Sequence, residues 1–391
     1  MLGRISRGAL SDRAEVRDCS LVFKASFPVR ITYTQLQPAV LRPFTGRVRT
    51  ISMLRHAARR YATVGRQTLL AKPPATPTPT AADISLIDTC IVSELTSSTD
   101  EQRGANLPTL VDQYENRRGV VLNTHLPYES RPSAERRVAF NSPEANVALI
   151  AHCAHDGTAH KLTLSSGFRL SAPSLSSGES VFVTCAHTLE EICRSSAYLH
   201  AVAAARKRKP SESPFDAQPS SGSFVVTGSS GSIELHPIHE VASTLPRFDV
   251  LLLTSGSTPL KSLPISPYPG HADTFVRAHF VSHTQPKEPG WTPWIGGTWS
   301  KWVRGKILGY RDFAGRETQP GTYDALSHML FYPPPTAGSS GGPVVDEESG
   351  AVVGVMLGTR MDNRVEGVRG WGVPSEVLFE MFQLPGLEGK K

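Results

Sequence analysis

No apolar run in this 391-residue chain approaches the ~20 residues that a helix needs to cross a bilayer, so no membrane span is expected. Cysteine is scarce: Cys19, Cys90, Cys153, Cys185 and Cys193, with no C-x-x-C pair among them. That set suggests neither a zinc site nor a disulfide framework, and it points to a reducing compartment. Acidic residues are missing from one long stretch. Residues 1–82 carry fourteen Arg and Lys against three acids, all three before Cys19, a surplus that exceeds the +6 of the whole chain. The remainder therefore stands at about −5. The basic charge belongs to the tail, and a nucleic-acid partner for the body is not implied.

What is present begins with that tail. From Met53 the chain is Arg-rich and has no acid until Asp83. On a helix, Leu54, Ala57, Ala58 and Tyr61 would share a face, with Arg55, Arg59 and Arg66 largely opposite. That is the pattern of an organellar transit peptide. Arg59-Arg60-Tyr61-Ala62 resembles a mitochondrial cleavage site, so mitochondrial localisation is expected, with a cytoplasmic or nuclear location as the alternative. Residues 1–52 read either as a second basic leader or as the product of an upstream start codon. Pro73 to Pro79 alternates proline with Thr and Ala and serves as a linker. The leader thus occupies 1–82 and is expected to be disordered. An N-terminal extension (83–139), with one short apolar run from Ile84 to Val92, is expected to pack on the domain at 140–387.

That domain reads as all-β. Short runs rich in Val, Leu, Phe and Thr recur at 146–153, 161–171, 180–188, 223–227, 250–254, 274–281, 302–310, 325–332 and 351–357, separated by Gly, Ser and Pro. Many short strands with turn chemistry between them predict a barrel or a sandwich. Val377, Leu378, Met381 and Phe382 have helical spacing after Pro374, which predicts a short C-terminal helix. Residues 205–222 read as a charged surface insertion. Trp291, Trp294, Trp299 and Trp302 crowd one Gly/Pro-rich stretch, read as a small satellite core rather than a partner surface.

Gly338-Ser339-Ser340-Gly341-Gly342-Pro343 is the stretch with a chemical use. Its glycines permit a tight turn that can aim the N–H groups of Gly338 and Ser340 at one point, where an oxyanion would form if Ser340 Oγ attacked a carbonyl. A serine hydroxyl needs a base. His187, ending Val181-Phe-Val-Thr-Cys-Ala-His187, is the best placed of thirteen histidines. Asp249 heads the apolar run Val250 to Leu253, where a carboxylate is costly unless paired, and it would orient the imidazole.

The order His, Asp, Ser is the chymotrypsin-type order. Val183-Thr-Cys-Ala-His187, Phe248-Asp249-Val-Leu-Leu and Gly338 to Pro343 resemble the three motifs of trypsin-fold serine peptidases. Ser166-Gly167-Phe168, Ser339 before the nucleophile and Trp371-Gly-Val-Pro-Ser375 resemble the HtrA/Deg branch, though no sequence remains after Leu387 for a PDZ domain. The resemblance covers about residues 140–385. It implies two six-stranded antiparallel β-barrels and a serine endopeptidase acting on protein or peptide substrates. Ser340 would be its nucleophile, His187 the base and Asp249 the orienting acid, with no metal or cofactor. It also implies an S1 pocket lined by Pro335, Thr336 and Ala337 and by Val355, Met356 and Leu357. None is acidic, so a small or medium apolar residue is expected there. Two departures stand out. Ser339 replaces the Asp that secreted zymogens use for activation, and Cys185 has no partner for the trypsin-like disulfide. The rival readings are a catalytically silent trypsin-fold binding module and an esterase on the same triad.

Overall fold

The computed structural model describes residues 86–97, 104–141, 146–172, 178–207, 220–363 and 366–384. The basic leader, its transit-like segment and the Pro/Thr linker lie outside the described residues, as do residues 208–219 of the charged insertion.

Two closed six-stranded antiparallel barrels make up the molecule's β-structure. The first contains β1 (Ala148–His155), β2 (His160–Arg169), β3 (Ser180–Cys185), β4 (Ser220–Gly228), β5 (Ile233–Leu245) and β6 (Val250–Ser255), closed in the order β1-β2-β3-β6-β5-β4. The second region contains β7 (Phe275–Ser282), β8 (Thr292–Pro293), β9 (Trp299–Arg311), β10 (Glu317–Thr318), β11 (His328–Tyr332), β12 (Pro343–Asp346), β13 (Val352–Asn363) and β14 (Gly367–Pro374). There β9 pairs with both β11 and β7, which closes β7-β9-β11-β14-β13-β12 into a ring.

Alternation along the strands decides which wall each residue lines. On β1, Leu149, Ala151 and Cys153 belong to one core cluster, while Ala148, Ile150 and Ala154 belong to another. Residues facing the second cluster would sit in water were it not for helices laid over the barrel. Those are α2 (Leu107–Asn116), α3 (His187–Cys193) and α4 (Ser196–Lys207), whereas α1 (Leu86–Ser97) joins the first cluster through Ile87, Ile91 and Leu95. Leu107, Leu110 and Tyr114 of α2 and Leu189 and Ile192 of α3 share a cluster with Ile150, Phe182 and Leu253. Both faces of β3 and β6 are therefore buried, which explains why they read as continuous apolar runs. Helix α2 starts at Asn106, whose side chain accepts from the Thr109 N–H at 2.9 Å, with Pro108 in its first turn.

Several elements differ from the sequence reading, which gives none of the helices α1 to α4. Strand β5 carries Pro237 and Glu240 among its apolar residues, which hides its pattern. Strand β14 is not among the runs read as strands, and its Trp371 to Pro374 enter that reading only as part of a motif. The last helix, α5 (Glu376–Phe379), is one turn long, and Val377, Leu378, Met381 and Phe382 are buried at its end as the spacing predicted. Trp294 and Trp302 are buried, each edge-on to the His279 ring, so this part of the tryptophan-rich stretch is a small core.

Candidate active site

Strand β3 delivers His187 to the first turn of α3, directly after Cys185 and Ala186. Asp249 follows the 3-10 turn Pro246–Phe248 and has left-handed backbone angles, φ 59 and ψ 36. Asp tolerates that region better than most residues, and the kink turns its carboxylate back toward β3. Oδ2 lies 2.6 Å from His187 Nδ1, and Oδ1 accepts from the N–H groups of Ala186 at 3.0 Å and His187 at 2.8 Å. One carboxylate thus holds both the ring and the backbone of the histidine. With Nδ1–H donating to Asp249, Nε2 is left as the basic nitrogen. Burial pushes the imidazole toward neutrality, but the Cys185 sulfur and the Asp249 carboxylate outweigh it and hold His187 well above the usual histidine range.

Ser340 comes from the turn between β11 and β12. Gly338 has φ +88, and a Cβ there would come within 2.8 Å of His283 Nε2. A Cβ on Gly341, at φ +84, would fall 2.1 Å from the Ser166 carbonyl oxygen and 2.6 Å from Thr184 Oγ1. Only glycine fits either position. The turn is tied to both barrels. On its own barrel, buried Ser339 accepts from the Val281 N–H at 2.9 Å. Ser339 also pairs with Thr336 Oγ1 at 3.0 Å, and Thr336 donates to the Val281 carbonyl at 2.6 Å. Toward the other barrel, the Ser166 N–H donates to the Ser340 carbonyl at 2.8 Å and its hydroxyl to the Gly338 carbonyl at 2.9 Å. Among the described residues, no protein acceptor takes the N–H of Gly338 or of Ser340.

Ser340 and His187 each face another partner. The Ser340 hydroxyl donates to the Leu357 carbonyl at 3.0 Å, and His187 Nε2 lies 3.6 Å from Cys185 Sγ. Among the described residues, no group of three or more His, Cys, Asp or Glu is placed to hold a metal ion.

Residues 165–355, a span that contains His187, Asp249 and Ser340, match the family model described as the trypsin-like peptidase domain. This stretch is a trypsin-like peptidase domain. Among solved structures the chain is similar to the MamO protease domain of Magnetospirillum magneticum, at 17% identity over 62% of this chain and 97% of that one, with a TM-score of 0.36. It is also similar to the active form of the Rv3671c protease of M. tuberculosis, at 19% identity over 66% and 88% of the two chains, with a TM-score of 0.37. Deg5 is similar at 14% identity over 61% and 88%, with a TM-score of 0.35. No curated protein matches.

Within the peptidase domain the expected pocket residues divide. Thr336 and Ala337 are half-buried near Ser340, Pro335 is buried, and the Val355, Met356 and Leu357 side chains lie in hydrophobic core. What Leu357 presents to Ser340 is its backbone carbonyl. The sequence reading named Ser166 and Ser339 only as parts of motifs, without their hydrogen bonds. It noted Cys185 for a missing disulfide, whereas the thiol faces the imidazole; all four described cysteines are free.

Proposed function

We propose that the peptidase domain is a serine endopeptidase in which Ser340, His187 and Asp249 act as a triad. The observation that carries this reading is the 2.6 Å contact between His187 Nδ1 and Asp249, whose other oxygen holds the backbone of the same histidine. An imidazole fixed in this way is built to take a proton at Nε2.

Substrate fits along β13. Its register partners on β12 end at Val355, whereas β14 pairs with it from Gly354 to Asn363. Met356 still exchanges hydrogen bonds with Gly341 and Gly342, and beyond Leu357 one edge is free of strand partners among the described residues, beginning beside Ser340. An extended peptide can add to such an edge as a further strand. Its N–H would displace the Ser340 hydroxyl from the Leu357 carbonyl and release it toward His187. Oγ then bonds to the scissile carbonyl carbon as its proton passes to Nε2. The N–H groups of Gly338 and Ser340 are the candidates to hold the oxyanion. On collapse the C–N bond breaks and His187 returns the proton to the leaving amine. Water, deprotonated by the same nitrogen, hydrolyses the acyl-enzyme.

The resting contacts of Ser340 with Leu357 and of His187 with Cys185 favour a second reading, a silent trypsin-fold binding module. A fluorophosphonate probe on the full chain decides between them. Labelling that disappears in Ser340→Ala and His187→Ala supports the triad; a folded wild-type chain that stays unlabelled overturns it. Turnover of amide against ester substrates then separates a peptidase from an esterase.

A further inference from the structure

Arg360 lies three residues beyond Leu357 on β13, past the end of that strand's pairing with β12. At ~3.3 Å per residue it is about 10 Å along the strand from the carbonyl that faces Ser340. The side chain is buried, with only 8% of the residue exposed, and its guanidinium lies 4.1 Å from the centre of the Trp371 ring. Its Nε is buried and has no hydrogen-bond partner, and no carboxylate among the described residues forms an ion pair with it. Asp362, two residues away on the same strand, favours its charge from a distance but forms no ion pair with it. Both its oxygens lie 3.2 Å from Arg311 Nη2, and Arg369 approaches to 3.6 Å. A largely desolvated guanidinium without a direct ion pair is costly, and stacking on one indole offsets only part of that cost.

Aromatic rings lead from Arg360 back to the candidate triad. Trp371 stacks on His328 at 4.2 Å, His328 meets Phe313 at 6.0 Å, and Phe313 meets Phe248 at 5.1 Å. Phe248 precedes Asp249. Over Phe248 lies a second guanidinium, that of Arg247, 4.6 Å from the ring centre. The row therefore carries a positive group at each end and joins the turn bearing Asp249 to the strand bearing Leu357.

Resting on the peptidase reading, we infer that Arg360 is a specificity-determining residue that receives an acidic side chain of the substrate, Asp or Glu, within three residues of the scissile bond. A carboxylate entering along the open edge of β13 supplies the missing partner of a planar donor already held by Trp371. A purely structural arginine, packed for its stacking alone, would not distinguish Glu from Gln in a peptide.

The test is a peptide set in which Glu and Gln are exchanged at each position within three residues of the cleaved bond. Wild type is expected to favour Glu over Gln at one position by at least about tenfold in kcat/KM, the ratio one charge-assisted hydrogen bond sustains. In Arg360→Gln the ratio drops to about one, and in Arg360→Lys it is intermediate; each ratio is internal to its variant, so a general loss of activity does not enter. A wild-type ratio near one at every position, or an undiminished ratio in Arg360→Gln, overturns the proposal. The same Glu/Gln pairs titrated as fluorescent peptides against Ser340→Ala give the selectivity as Kd values. Failure of turnover and failure of acidic recognition are thereby told apart.

Discussion

The two barrels hold their shares of the candidate site by different means. The first fixes its histidine through charge, since a single carboxylate accepts hydrogen bonds from Nδ1–H and from two backbone N–H groups. The second fixes its serine through neutral hydroxyls, Thr336 and Ser339 behind the turn, with Ser166 of the first barrel in front. Charge sets a protonation state as well as a position; hydroxyls set position alone. Chemistry that depends on pH is therefore built into the first barrel, and the geometry of attack into the second.

The largest effect expected on that contrast comes from Asp249→Asn. With the carboxylate gone, the histidine tautomer is no longer fixed, and kcat/KM is expected to fall by about 10⁴. The imidazole must be neutral to take the serine proton. Because its pKa is held above the ordinary range, activity should rise with pH through an acidic limb above about 6.5. Residual activity in Asp249→Asn should show that limb at lower pH; a limb that stays in place breaks the claim that Asp249 sets the charge.

Ser339→Ala comes next. It leaves the Val281 N–H without its acceptor and Thr336 without its neighbour, a loss of about 1–3 kcal/mol. The expectation is roughly 10- to 100-fold slower fluorophosphonate labelling, the range of one to two factors of ten that 1.4–2.8 kcal/mol represents, with the acidic limb unmoved. A shifted limb would mean that the serine side also governs charge.

The smallest effect separates two buried histidines on the first strands of the two barrels. His152 on β1 has a partner, with Nδ1 2.7 Å from Ser223 Oγ, whereas neither ring nitrogen of His279 on β7 has one among the described residues. Burial pushes both down to about 3. A depressed histidine contributes stability that is fully present above about pH 6.5 and is lost as pH falls toward 3. At pH 5 each costs about 2 kcal/mol relative to neutral pH. His279→Leu should recover that at pH 5 at little cost at pH 7. His152→Leu should lower stability at pH 7, because Ser223 loses its partner. Paired urea titrations at the two pH values decide whether the histidines differ in this way.

What was legible in the sequence was local. His187, Asp249 and Ser340 each sit in a short contiguous motif where an apolar run meets a turn, and their order along the chain is itself a signal. Strands β3 and β6 were legible because both faces are covered. Strand β5 was not, with His236, Pro237, His239 and Glu240 interrupting it. Contacts made only when distant parts of the chain meet leave no trace in any window of residues. The Ser166 hydroxyl on the Gly338 carbonyl and the Leu357 carbonyl facing Ser340 are of this kind. So is Arg360 on Trp371, which comes from pairing β13 with β14.

The helices ahead of the barrels have a consequence for how the molecule is made. A Cβ placed on Gly296 would touch Ile87 at 2.3 Å, so α1 packs against a turn synthesised roughly two hundred residues after it. The backbone at Gly104 likewise presses on Ile238 of β5, and α2 covers strands that follow it. On the ribosome, α1 and α2 emerge before the strands on which they pack. Their apolar faces have nothing to cover them until those strands are made, so the barrels complete the helices as much as the helices cover the barrels.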